Sequence, residues 1–309
     1  MTPFAELAGR HDAPTRGAAR LRAARCWNPC PSTRSILACV SLLLLSACAV
    51  SPTGRHQLAL VSEATAIESS KESYLTQMSE LRKDGKLVTD PRVTGRVDRI
   101  TSRLVAQAVL KRPETKSWEW SIEVIDDPKT VNAWCMAGGR MAVYTGLLQK
   151  IDPTDDELAQ VLGHEISHAL ANHTAERMSV AMATSAGVAL VGLLSDDAVK
   201  TMSVAAVAAS LAITLPNSRA AESEADEIGI ELAAKAGYNP NAAISLWKKM
   251  GQESDGGPPQ FLSTHPSPGN REQRLAELAP KMMPFYQQGG TRPTYPLRDP
   301  LAAPVKGTQ

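Results

Sequence analysis

The sequence predicts a mostly helical α+β domain with a small sheet, preceded by a segment of a different character. Three observations carry this. Several long stretches repeat apolar residues every three or four positions, the period of a helix with one buried face. Two short stretches, 118–125 and 138–148, read instead as strands, and the first alternates apolar and polar residues. The opening 48 residues are arginine-rich and then apolar, unlike the rest. At 309 residues, 43% of them hydrophobic and 21% charged, the chain can bury a real core.

The net charge of +1 hides an uneven distribution. Residues 1–34 hold six of the 33 basic residues and two of the 32 acidic ones, and 35–48 hold none, which leaves 27 basic against 30 acidic beyond. That balance gives no reason to expect nucleic acid as a partner. In 34–48, RSILACVSLLLLSAC, a basic residue precedes an apolar run of signal-peptide length, too short to span a bilayer comfortably. Its end, Leu45-Ser46-Ala47-Cys48, resembles a bacterial lipobox, with small residues for cleavage and the Cys48 thiol for acylation. Ala49 is not the aspartate of an inner-membrane retention signal, so a lipid anchor in the outer membrane, facing the periplasm, is expected. The alternative is a short buried helix. Residues 1–33 are either an extended basic lead or lie before the true start. Cys26, Cys30 and Cys39 go with the signal, so Cys135 alone remains inside the domain, where neither an internal disulfide nor a Cys-rich zinc site can form.

The expected organisation is an N-terminal extension and signal over 1–48, a linker over 49–61, one domain over 62–286 and a flexible Pro/Gly-rich tail over 287–309. Residues 62–83 and 91–111 are helical in pattern; in the second, Val93, Val97, Ile100, Leu104 and Ala108 fall on one stripe. In the strand WEWSIEVI, Trp118, Trp120, Ile122 and Val124 alternate with Glu119, Ser121 and Glu123. A loop with Asn132 and the Gly138-Gly139 pair leads to the second strand. The next helix starts near 152–154: Asp152 caps it with Pro153 in its first position, or Thr154 and Glu157 form a capping box. Two Ala-rich runs, 178–194 and 202–215, read as buried helices, with a membrane-contacting hairpin as the alternative, because each falls short of a span. Helices over 217–236, 240–250 and 270–283 complete the domain, the first stopping at Gly237.

Residues 163–173, GHEISHALANH, lie in the helix that begins near 154. H-E-x-x-H on a helix sets His164 and His168 one turn apart, so both imidazoles can reach one metal ion, with Glu165 beside them to work on water. Leu158, Leu162, Ile166 and Leu170 form a separate apolar stripe. Nothing in the sequence stops the helix there, and His173 lies on its leucine side, so it is expected as a structural group, or one supporting a ligand from behind, packing near Glu176 or Arg177 rather than as a ligand itself. On the later helix, Glu222 and Asp226 share a face and Glu224 lies opposite. Glu222 is thus a candidate ligand, with Asp226 positioned to accept the N–H of a ligating histidine; a solvated acidic face is the plain alternative.

H-E-x-x-H followed by LPNSRAAESEAD (215–226) resembles the HtpX/CAAX-prenyl-protease type of zinc metallopeptidase, in its periplasmic lipoprotein branch. VNAWCMAGGRMAVYTGLL (131–148) and STHPSPGNREQRL (263–275) are similar to further family stretches, so the likeness runs over 62–283. Ala137, where the family usually has proline, and Asn217, where an aromatic is common, depart from the pattern without touching the inferred ligands.

The resemblance implies a zincin-like domain whose edge strand borders the active-site helix, and one Zn²⁺ on His164, His168 and Glu222 with a fourth position open. It implies that Glu165 takes the proton from water and returns one to the leaving amine. His265 either stabilises the oxyanion or swings in as a fourth ligand. Substrate is expected along the 139–146 strand, at Asn132, Gly139, Arg140, Met141 and Ala142, and Arg271 has a structural role. The implied partners are polypeptides, misassembled envelope proteins among them, and envelope assembly machinery. A chaperone-like factor with a latched zinc site is the competing reading.

Overall fold

The computed structural model describes residues 48–194, 217–252, 260–266 and 269–302. The signal segment through Ala47 and the Ala-rich run 202–215 lie outside them. A hairpin of β1 (Cys48–Val50) and β2 (His56–Leu58) precedes helices α1 (Glu63–Lys83) and α2 (Pro91–Lys111). A 3₁₀ turn leads to β3 (Ser121–Ile125), β4 (Ala133–Met136) and β5 (Arg140–Tyr144). Then follow α3 (Asp155–Leu170), α4 (His173–Leu194), α5 (Arg219–Lys235), α6 (Ala242–Gln252), α7 (Gln260–Thr264) and α8 (Arg271–Gln287). The mostly helical α+β expectation holds. No helix among the described residues is long and apolar enough to cross a membrane.

Local chemistry sets the helix starts. The Asp90 side chain accepts from Arg92 N, with Pro91 in the first turn of α2. Thr154, not Asp152, caps α3: its hydroxyl accepts from Glu157 N (3.2 Å), and the Glu157 carboxylate accepts from Thr154 N (2.9 Å). Such a cap contributes about 1 kcal/mol. Asp152 is left-handed, at φ 44°, in the turn before it.

The second sequence strand is not an edge. The sheet order is β3–β5–β4, with β5 parallel to β3 and antiparallel to β4. The expected loop thus contains the edge strand β4, and β4 borders α3. Alternation reports which face of a strand is buried, but not which neighbours it will have. The neighbour is decided by the turn at Gly138 and Gly139, both at positive φ (85° and 83°), which folds β4 back on β5.

Helix α3 is central, and every residue from Glu157 to Leu170 is buried. Its Leu158, Leu162, Ile166 and Leu170 stripe joins the core with Val97, Ile100 and Leu104 of α2. The opposite face packs on α5. A Cβ on Gly163 would sit 2.9 Å from Gly229 O, and one on Gly229 would sit 2.8 Å from His164 N. Two glycines facing each other therefore let the helices approach at the turn that carries His164.

Helix α3 also stops where the sequence suggested continuity. Gln57 Nε2 donates to Ala171 O (2.7 Å), Asn172 takes φ 55°, and α4 starts afresh at His173. Asn is one of the few side-chain-bearing residues that takes this conformation readily.

The expected linker over 49–61 and the described part of the expected flexible tail, residues 287–302, are built in. Within 49–61, the hairpin is pinned by Gln57 and by Val61 N donating to Ser179 Oγ (2.9 Å). In the 287–309 tail, Tyr295 N donates to Ser102 O (2.9 Å) and Arg298 N to Trp120 O (2.8 Å). Backbone groups hold both, and composition does not register backbone pairing.

Candidate metal centre

Four side chains from three places converge. His164 and His168 come from α3, Glu222 from the first turn of α5, and His265 from just after α7; one donor atom of each lies within 4.8 Å of all the others. His164 Nε2 is 3.0 Å from His168 Nε2 and 3.3 Å from Glu222 Oε2. His168 Nε2 is 3.4 Å from Glu222 Oε1. His265 Nδ1 lies 3.0 Å from Glu222 Oε1 and 3.3 Å from His164 Nε2. All four residues are buried. Burial disfavours the Glu222 carboxylate, but the three histidines around it hold it far below the usual carboxylate range. Burial likewise opposes a charge on His164, yet bonds to Asp226 and Glu222 push it up to about 9. His168 is pushed down, chiefly by burial.

The groups behind the histidines decide where their protons lie. An ionised carboxylate only accepts. Asp226 Oδ1, 3.1 Å from His164 Nδ1, therefore holds a proton there, and Nε2 is the nitrogen that would give up its proton to a metal. Arg271, at the start of α8, donates to Asp226 Oδ1 from Nη2 (2.5 Å) and lies over the Trp247 ring. His168 uses an intermediary. Its Nδ1 is 2.7 Å from His173 Nδ1, and His173 Nε2 is 3.1 Å from Glu224 Oε2. Glu224 sets the His173 proton on Nε2, so His173 Nδ1 accepts from His168 Nδ1–H, and His168 Nε2 faces the cluster unprotonated.

Burial disfavours the Glu224 carboxylate too, but bonds from His173, Ser51, Thr53 and Arg55 hold it well below the usual range. His173 is thus outside the four-donor set, for a different reason from the expected one. The chain turns at Asn172 and brings it behind His168, against Glu224 rather than Glu176 or Arg177. Sequence reasoning missed Glu224, although the E-x-E spacing of 222–224 was visible; its partners come from remote parts of the chain.

Glu165 is buried beside the cluster, and burial raises its carboxyl pKa. Among the described residues nothing donates a hydrogen bond to its Oε1; His265 Nε2 is 3.4 Å away, near enough to attract but not aligned to donate. Asn217 lies beside the cluster, with Nδ2 3.4 Å from His265 Nδ1.

The expected substrate residues are each held in or beside the sheet. Arg140, Met141 and Ala142 are buried in the central strand, and Arg140 is paired with Glu119. A Cβ on Gly139 would meet the Trp120 ring at 2.5 Å, so Gly139 serves the turn and its packing. Asn132 Oδ1 accepts from Ala133 N, at the start of β4. The donor chemistry of the cluster, imidazole with one carboxylate, suits Zn²⁺. An unbonded buried carboxylate oxygen next to it is what a water-activating group requires.

The bovine mitochondrial metalloendopeptidase OMA1 is 33% identical over 254 residues, covering 76% of this chain and 46% of that protein. Mitochondrial metalloendopeptidase OMA1 of Arabidopsis thaliana is 38% identical over 173 residues, 56% of this chain and 34% of the relative. A putative beta-barrel assembly-enhancing protease of Vibrio cholerae is 31% identical over 218 residues, 67% of this chain and 43% of its own. The chain thus spans about a third to a half of the length of these relatives. The family model for peptidase family M48 matches residues 91–279, from the start of α2 into α8. That span takes in both α3 histidines, the α5 carboxylates, His265 and Arg271, more than half of the sequence, and the chain belongs to peptidase family M48.

Proposed function

We propose that the protein is a zinc-dependent endopeptidase, anchored through Cys48 to the outer membrane and acting on misassembled cell-envelope polypeptides. The observation that carries the activity is the buried, unbonded Glu165 oxygen beside His164, His168 and Glu222. Zinc held there would polarise the scissile carbonyl and acidify water.

The chain's own residues do the rest. Asp226 and the His173–Glu224 pair keep both ligand histidines in the metal-binding tautomer. Glu165 takes the proton of the attacking water and hands one to the amine as it leaves, and its raised pKa brings it nearer the working pH. Substrate pairs with β4 rather than β5. The Tyr144 N to Asn132 O bond turns Asn132, and by alternation Trp134 and Met136, toward β5. Cys135 N–H and the carbonyls of Ala133 and Cys135 then face outward for an extended peptide, the Ala133 N–H being taken by Asn132 Oδ1.

His265 inside the donor cluster favours a resting state with four protein donors, which must open before water can enter. That same geometry is what supports the latched assembly-factor reading. Purified wild type should cleave casein, lose the activity to a zinc chelator and regain it on zinc addition. Zinc uptake without cleavage would favour the assembly factor.

The envelope setting rests on the lipobox-like sequence and on the likeness to a relative named for beta-barrel assembly. Alkaline extraction of membranes should release a Cys48→Ala variant and leave the wild type behind. A variant that stays with the membrane would overturn the lipid anchor.

A further inference from the structure

We infer that the N-terminal hairpin is part of the machinery that holds the metal: Arg55 and Thr53 position His168 through Glu224 and His173. This rests on the peptidase reading above and extends it to residues outside the span matched by the family model, which begins at residue 91.

The hairpin turn is itself well built. Ser51 N donates to Arg55 O (2.8 Å), Arg55 N to Ser51 Oγ (3.1 Å), and Gly54 supplies the positive φ of 89°. From this turn Thr53 Oγ1 donates to Glu224 Oε1 (2.7 Å), and Arg55 Nε donates to Glu224 Oε2 (2.8 Å). The two terminal nitrogens of Arg55 donate to the two oxygens of Glu176, each at 2.7 Å. The guanidinium is thereby fixed in one plane, as a forked pair requires. Beside it Gln57 Nε2 holds Ala171 O, one residue past the end of the helix that carries His168.

Glu224 is 2% exposed in its side chain, and its hydrogen bond toward the donor cluster among the described residues is the one to His173. Take away the hairpin contacts, and a buried carboxylate keeps only His173. A buried charge short of partners moves or is relieved by moving its neighbours. Either change frees His173 to turn, and His168 Nδ1–H then loses the acceptor that fixes its ring. His164 has its carboxylate directly, braced by Arg271. His168 has its carboxylate two hydrogen bonds away, and the brace comes from the seven residues that follow Cys48. The two ligand histidines are thus held by opposite ends of the domain.

The test is zinc release from the full chain into an excess of a pyridylazo-resorcinol dye, together with the visible spectrum of the Co²⁺-substituted protein. Glu224→Gln should release zinc roughly 10–100-fold faster, the usual cost of losing a group behind a ligand, and Arg55→Gln should move in the same direction. Because the two act in series, the double variant should be no faster than Glu224→Gln alone. Both should shift the Co²⁺ bands, which a loosened hairpin far from the metal would not do. Glu176→Gln loosens the fork that orients Arg55 but leaves its bond to Glu224, so it should speed release above the wild-type rate and by less than Arg55→Gln does.

Thr53→Val, which deletes one hydroxyl on an exposed turn, reports the same link should Arg55→Gln fail to fold; it should also speed release. Wild-type release rates and unshifted bands in Arg55→Gln or Thr53→Val would overturn the inference, as would multiplying effects in the double variant. So would a Glu176→Gln variant as fast as Arg55→Gln. A wild type that takes up no zinc would instead defeat the peptidase reading, and this inference with it.

Discussion

Glu165→Gln should lower kcat/KM on casein by about 10²–10⁴-fold, the contribution of a positioned proton-transfer group, with zinc content unchanged. Glutamine keeps the volume of a residue that is 2% exposed, so the packing of α3 should survive. It removes the carboxylate whose Oε1 accepts no hydrogen bond among the described residues and is therefore available to a proton. Burial already disfavours the ionised form of Glu165, so a neutral amide should not destabilise the fold. Activity assays and metal analysis on the same preparation read both halves of this expectation. Cleavage retained at the wild-type rate would remove Glu165 from the chemistry.

Glu222→Ala should weaken zinc binding by more than the roughly 10–100-fold that follows loss of a group behind a ligand. Glu222 is fully buried, and it is the only anion among the four donors. Without it three imidazoles face one another, and Arg271 Nη1 loses the Oε2 oxygen 3.4 Å away. Because His265 lies in the same cluster, three histidines remain able to hold a metal. Competition with a chelator of known affinity is therefore the right measurement, rather than presence or absence of zinc after purification. An unchanged affinity would mean that the histidines alone bind the ion and that the carboxylate serves them from behind. Either outcome also bears on the resting state, since a closed set of four donors is more tolerant of losing one.

Several features of this protein were written locally. The 91–111 helix begins at a capping aspartate and a proline and places Val97, Ile100, Leu104 and Ala108 in the core, as the 3.6-residue period requires. His164 and His168, four residues apart on α3, and Glu222 and Asp226, four apart on α5, each share a face for the same reason. Those relations depend on spacing alone, which a single sequence carries in full.

What spacing could not carry is which remote groups would meet. That β5 is a central strand depends on a two-glycine turn folding β4 back beside it. That α3 and α5 come close enough for Glu222 to reach both histidines depends on Gly163 opposite Gly229, 66 positions apart, neither of which stands out in its own helix. His173 was excluded as a ligand from a continuous helix that in fact ends at Leu170. Its true place, between His168 and Glu224, follows from the left-handed Asn172 and from a hairpin more than a hundred residues earlier. The sequence by itself determined the helices and the donor types on them. Only the tertiary structure decided the partners, because a side chain's hydrogen bonds are completed by whatever the fold brings within about 3 Å, and that has no period along the chain.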